Sequence, residues 1–216
     1  PPRSTPSNSS AASDVYKRQD SLLAKAGEWV NVIIPGYTHT RLAQPITLAH
    51  WCLSFTDALL RCIDRLEEVY QRINLSPLGA CALAGTSVPI DREYVAKLLG
   101  FNGIQENTLD VVSSRGEFES ELTFVLALLM VTLSRMAEDL ILFSSKEFNF
   151  LSIGEKYLTG SSAMPHKMNP DVLELIRGRS SRVLGFLVQI LSTLKGLPSG
   201  YNRDQQETKA TVFYAV

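Results

Sequence analysis

Between Leu122 and Phe143 the apolar residues Leu122, Leu126, Leu129, Leu133, Met136, Leu140 and Phe143 alternate four and three apart without a miss. A strand repeats every two residues and cannot hold this spacing on one face. An α-helix can, and the mean period of 3.5 is that of a seam packed against other helices. The spacing predicts a long helix between Glu117 and Lys146. Val125, Leu128 and Val131 beside the seam are apolar too. A stripe this wide is buried either at the centre of one bundle or between subunits.

Two further segments follow the same rule. Between Thr47 and Ile73, Leu59, Ile63, Leu66, Tyr70 and Ile73 repeat the spacing, leaving Glu67 and Glu68 for an outer face. After Asn169, read as an N-cap with Pro170 in the first helical position and Asp171 as a first-turn acid, Ile176, Val183 and Ile190 recur at seven with Leu187 and Leu194 at the companion spacing. Gly196 and Pro198 stop the run. Each helix is about 40 Å long at 1.5 Å per residue. Strand signals are scarce, and TSVPIDREY reads as a turn-rich connection before a short helix. The expected fold is all-α, a long-helix bundle occupying residues 20–216. Residues 1–19, PPRSTPSNSSAASDVYKRQ, are rich in Ser, Pro and Ala without an apolar period. They are expected to be a disordered tail or a non-native segment.

Composition removes several classes of function. With a formal net charge of −1 and no basic block interleaved with aromatics, the chain offers no footprint for nucleic acid or an anionic membrane. The most apolar run, FVLALLMVTL, is too short to span a bilayer, and no secretory signal pattern is seen. A cytoplasmic location is expected. Three cysteines without a C-x-x-C pair and three histidines without zinc spacing argue against disulfides and structural metal.

One loop interrupts the helical chain. Thr159 to Asp171, TGSSAMPHKMNPD, sets two serines, a histidine, a lysine and an asparagine around two prolines just before a helix N-terminus. Free N–H groups and the positive end of the helix dipole favour a carboxylate or phosphate there. Lys167 adds a full charge, and Ser161 and Ser162 add hydroxyls that donate or, once deprotonated, abstract a proton. The loop has no G-x-S-x-G elbow. STLK, Ser192 to Lys195, lacks the partners of a penicillin-recognising site, and no phosphate-binding glycine loop is present.

GSSAMPHKMNP resembles the signature G-S-S-x-M-P-x-K-x-N-P of the fumarase/aspartase superfamily, lyases that release fumarate by removing a proton next to a carboxylate. Within it the chain most resembles the argininosuccinate lyases. PGYTHTRLAQP, SPLGACALAGTSVPIDRE, LSRMAEDLILFSSKEF and GLPSGYNRDQQETK match family segments in order, from about Trp29 to Val216. The resemblance departs at Thr40 and Arg41, where the family usually has Leu-Gln, and in SSRGEFE, which carries an extra residue. His166 and the wording SSAMPHK also occur in adenylosuccinate lyases.

What the resemblance implies is specific. Ser161 corresponds to the general base, and Lys167 and Asn169 to the holders of the reacting carboxylate. His39, with Thr38, falls at the T-H pair, and Glu174 matches the acid that partners the histidine. Arg115, Tyr201, Gln206 and Lys209 match substrate-contacting positions. The activity implied is cleavage of argininosuccinate to arginine and fumarate without a cofactor, by a homotetramer whose active sites each draw on three chains. A serine alkoxide needs a water-poor loop with N–H groups and a cation nearby, and a carboxylate beside His39 favours its protonated form. Two other readings remain: another fumarate-releasing lyase, chiefly adenylosuccinate lyase, and a structural protein like the delta-crystallins, some of which keep this fold without activity.

Overall fold

The computed structural model describes residues 10–216. Its elements in order are α1 (Ser10–Glu28), β1 (Ile33–Thr38), β2 (Arg41–Thr47), α2 (Leu48–Ile73), β3 (Leu75–Ser76), α3 (Arg92–Leu99), β4 (Gly103–Ile104), α4 (Thr108–Ser113), α5 (Glu117–Ser144), β5 (Thr159–Gly160), β6 (Met168–Asn169), α6 (Asp171–Leu194) and α7 (Glu207–Ala215). Short 3₁₀ turns lie at Glu155–Tyr157 and Arg203–Gln206. The chain divides into two compact units. Among the described residues, one comprises 10–63 with Leu128–Arg182, and the other Asp64–Ala127 with Val183–Val216.

The three long helices form where the apolar spacing places them. In the first unit, Leu59, Cys62 and Ile63 of α2 bury against Leu129 and Leu133 of α5, with Ile176 of α6 packed alongside; Leu59 is 0% exposed. A neighbouring cluster gathers Ile34, Leu48, Trp51, Cys52 and Phe55 with Met136, Leu140 and Phe143. Burying a residue such as Leu59 stabilises the fold by roughly 1.5–3 kcal/mol. Trp51 Nε1 donates to Asp139 Oδ2 at 2.8 Å, and burial pushes the Asp139 carboxyl above its ordinary range although this hydrogen bond opposes the shift. Glu138 and Arg177 pair between α5 and α6.

The second unit buries smaller and more polar residues: Val69, Ala80, Ala96, Val125, Val183 and Ile190 beside Thr123, Gln205 and Thr208. The connection before α3 ends in a capped start, Asp91 Oδ1 accepting from Tyr94 N at 2.8 Å, and α3 closes on Gly100 at φ 82°. Arg92 stitches this segment together, donating to the carbonyls of Leu78 at 2.8 Å and Gln105 at 2.7 Å. Arg72 of α2 pairs with Glu121 of α5.

The structure departs from expectation in three places. Residues 33–47, read without strands, form an antiparallel hairpin, β1 on β2, from Ile33↔Thr47 to Thr38↔Arg41. Its turn residues His39 and Thr40 stand at φ 52° and 56°, a two-residue turn with both centres left-handed. Neither is the Asn or Gly that usually signals such a turn. Residues 10–19, expected to be part of a disordered tail or a non-native segment, form the first half of α1; Val15 is 2% exposed and packs with Leu59, because Val15, Leu22 and Ala26 share one face. Residues 1–9 of that expected tail lie outside the described residues. Finally, α6 begins one residue later than read. Asn169 belongs to β6, and the Pro170 carbonyl accepts from Leu173 N and Glu174 N, so Pro170 takes the cap position.

Candidate functional site

The loop from Ser161 to Lys167 is closed by a two-residue antiparallel ladder, Thr159↔Asn169 and Gly160↔Met168, which delivers the chain directly into α6. Inside it, Met164 N donates to Ser161 Oγ at 3.2 Å, and Lys167 N donates to the Met164 carbonyl at 2.9 Å. An amide donating to a hydroxyl oxygen stabilises the charge that oxygen gains on losing its proton, so this contact favours the deprotonated form of Ser161. Ser161 and Asn169 are half-buried, whereas Ser162 to Met168 are exposed. The ammonium of Lys167 is therefore free to meet an anion, and the loop's base carries the free amides of the first turn of α6. Glu174 lies on that first turn and is exposed.

Thr38 and His39 sit at the tip of the β1–β2 hairpin and are exposed, with Thr40 Oγ1 donating to the His39 carbonyl at 2.6 Å. Among the described residues no hydrogen bond or ion pair joins His39 to Glu174. Thr38, His39, Ser161, Lys167, Asn169 and Glu174 all belong to the first unit.

The other four candidates belong to the second unit, and three of them come together. Arg115, on the turn between α4 and α5, places its guanidinium carbon 5.1 Å from the centre of the Tyr201 ring. Gln206 Nε2 donates to Tyr201 Oη at 2.6 Å. These three line a cleft of about 440 Å³ with Cys81, Ala82, Leu83 and Val112. A cation over an aromatic face, with an amide at its rim, suits a carboxylate or another planar polar group. Arg115 also lines a second cleft of about 350 Å³ with Ser113, Glu117, Ser120 and Leu191. Lys209 is exposed on α7, one turn beyond Gln206, and lines neither cleft. Sequence reasoning did not mark the wall formed by Cys81, Ala82 and Leu83. A signal for it exists in Gly79 and Gly85, which bracket the wall at φ 82° and 78° and let the loop turn sharply on both sides. Cys81 itself is exposed and left-handed, at φ 54°.

Among the described residues no helix is long and apolar enough to cross a membrane, and no three His, Cys, Asp or Glu side chains gather as metal ligands.

A family model described as lyase matches residues 12–185. The argininosuccinate lyase of Syntrophus aciditrophicus (strain SB) is 53% identical over 196 residues, which is 91% of this chain and 41% of that protein. The argininosuccinate lyase of Bacillus anthracis (strain CDC 684 / NRRL 3495) is 52% identical over 202 residues, 94% of this chain and 44% of that one. The chain thus spans about two fifths of the length of these relatives. Among solved structures, an EDDS lyase in complex with formate superposes with a TM-score of 0.87 at 32% identity, over 94% of this chain and 42% of its own. The class II fumarase of Schistosoma mansoni shares the fold, with a TM-score of 0.81 at 18% identity over 94% of this chain and 47% of that one.

Proposed function

The chain belongs to the lyase family, and from that membership we propose that it is the central helical part of an argininosuccinate lyase, which splits argininosuccinate into arginine and fumarate by acid–base elimination in the cytoplasm. Ser161 removes the proton from the carbon beside a carboxylate. The charge that builds on that carboxylate is held by Lys167, Asn169 and the free amides at the start of α6. The carbon–nitrogen bond then breaks with its electron pair passing to nitrogen, and His39, partnered by Glu174, delivers the proton that nitrogen takes up. Thr38, Arg115, Tyr201, Gln206 and Lys209 hold the rest of the substrate. No cofactor enters these steps.

The observation that carries the reading is the position of Ser161. Its oxygen already accepts an amide hydrogen, in a loop that ends on a lysine and a helix N-terminus. Catalysis by Ser161 requires that water be kept from this loop when substrate is bound, since a wet loop does not sustain an alkoxide.

A homotetramer with shared sites fits the outer faces of the long helices. On α5, Phe124, Val131 and Leu142 are 48%, 39% and 38% exposed, and on α6 Val188 is 63% exposed. Water-facing rows of this kind are what a second copy covers. In such an assembly His39 meets its carboxylate partner from another subunit.

The test is fumarate release, followed by absorbance, from argininosuccinate and from adenylosuccinate by the full-length protein that carries this chain. Release from argininosuccinate alone is expected. Release only from adenylosuccinate moves the protein to the other lyase class, and an assembled protein that turns over neither is a structural relative.

A further inference from the structure

The hairpin tip that carries Thr38 and His39 has little to hold it. Thr38, His39, Thr40 and Arg41 are exposed, and the only hydrogen bond from a side chain at the tip among the described residues, Thr40 Oγ1 to the His39 carbonyl, stays within it. Two successive non-glycine residues in the left-handed region are an uncommon conformation, one the surroundings must maintain. The hairpin's base is fixed by Ile34, which is buried with Leu48 and Trp51. Beyond the base, the register shifts between Pro35 and Tyr37: Ala43 and Gln44 of β2 stand opposite the single residue Gly36, where a β-carbon would lie 2.6 Å from the Gln44 carbonyl oxygen.

Tyr37 follows on β1 and stands next to Thr38 at the tip. Its ring centre lies 5.4 Å from that of Phe148, edge-on at 62°, and 6.4 Å from that of Phe150, stacked at 29°. Phe148 and Phe150 meet each other edge-on at 5.6 Å. They bracket Asn149, which is left-handed at φ 52° and whose N–H bonds to the Ser145 carbonyl at 2.8 Å. Phe150 is tied back to α5 twice, through its N–H on the Phe143 carbonyl at 2.8 Å and its ring 5.3 Å from the Phe143 ring. Phe143 in turn lies 5.5 Å from Trp51 of α2, whose indole N–H is held by Asp139. An unbroken series of rings therefore runs from the helical core to the residue next to Thr38.

From this we infer that Phe148 and Phe150 are positioning residues for His39, acting through Tyr37 to hold the hairpin tip where its imidazole delivers a proton. The inference rests on the role proposed above for His39. Neither phenylalanine touches the reacting atoms. The pair sets where the ring of His39 stands, and a displacement of about 1 Å at a reacting group is enough to cost on the order of 100-fold in rate.

The test is a double-mutant cycle in the full-length protein, read as kcat and KM for fumarate release. Phe148→Ala and Phe150→Ala are each expected to lower kcat about 10- to 100-fold with KM changed less than about 3-fold. Tyr37→Phe, which keeps the ring, is expected to stay within about 2-fold of the parent. His39→Asn alone is expected to lower kcat about 10²- to 10⁴-fold. In the His39→Asn background Phe148→Ala should add less than about 2-fold, because a positioning residue has nothing left to position. Phe148→Leu, which keeps apolar volume but not the edge-on ring, serves if the alanine variant loses helicity or assembly; it should lower kcat in the parent and not in the His39→Asn background. An undiminished effect of either Phe148 variant in the His39→Asn background, or unchanged kcat in both, overturns the inference. Full activity of His39→Asn removes it too, but by withdrawing His39 from the reaction, an outcome that the single variant alone reports.

Discussion

Gly116 joins the turn bearing Arg115 to α5, and replacing it by alanine should destabilise the chain through two separable causes. The residue stands at φ 95°, where a β-carbon meets its own backbone, at a cost of about 1–2 kcal/mol. The added carbon would also lie 2.5 Å from Leu194 Cδ2 and 2.9 Å from Cδ1, about 1 Å inside normal carbon–carbon contact. Forcing a methyl into occupied space costs about 1–3 kcal/mol, less where the neighbour gives way. The total, about 2–5 kcal/mol, is a large share of a typical stability of about 5–15 kcal/mol. Urea unfolding of the dilute chain, followed by helical circular dichroism, measures it. The same substitution at Gly178 and Gly185, in the interior of α6 with nothing within 4 Å, should instead stabilise by roughly 0.5–1 kcal/mol. Leu194→Ala should recover at least about 1 kcal/mol of the Gly116→Ala loss in the double variant, since it removes the overlap and leaves the backbone cost. A Gly116→Ala midpoint within about 0.5 kcal/mol of the parent, or no recovery from Leu194→Ala, would refute the reasoning.

Other outcomes follow from the site and the surface. Ser161→Ala in the full-length protein should cut fumarate release by about 10²- to 10⁴-fold with helicity and assembly intact, because the hydroxyl stands in a loop outside the helical seams; near-normal turnover takes Ser161 out of the mechanism. The 216-residue chain by itself should self-associate in light scattering and release no fumarate from argininosuccinate. Val131→Glu, which puts a charge in the exposed row of α5, should shift the mass toward the monomer, and a parent that is already monomeric contradicts the assembly argument. Of the three thiols only Cys81 should react quickly with a thiol reagent in the folded chain, since Cys52 and Cys62 are buried. Burial pushes the Cys52 thiol up from 9.0 to about 11. As pH rises through that window the unfolded chain sheds this proton before the folded one does, so stability should fall there, and Cys52→Ala should flatten the decline.

The long helices were legible in the linear chain because a seven-residue apolar repeat is a local signal: whatever covers the seam, Leu122 to Phe143 lie on one face only in a helix. The loop around Ser161 was legible for a similar reason, since serines, a lysine and prolines before a helix start carry their chemistry in their identities. The hairpin was not. Pro35 and Pro45 argue against strands, and His39 and Thr40 carry no turn signal, so pairing there depends on rings from residues 143–150 that lie far along the chain. The same holds for α1, where Val15 finds its place only against α2, and for the one-residue shift at Pro170, which the β5–β6 ladder imposes by taking Asn169. The cleft beneath Arg115 is wholly tertiary. Its arginine, its tyrosine and the Cys81 loop come from three distant segments, and no spacing in a sequence encodes a distance of 5.1 Å between a guanidinium and a ring. Periodicity is a property of one segment and survives without partners, whereas a strand pairing or a cleft exists only once folding has brought separate segments into contact.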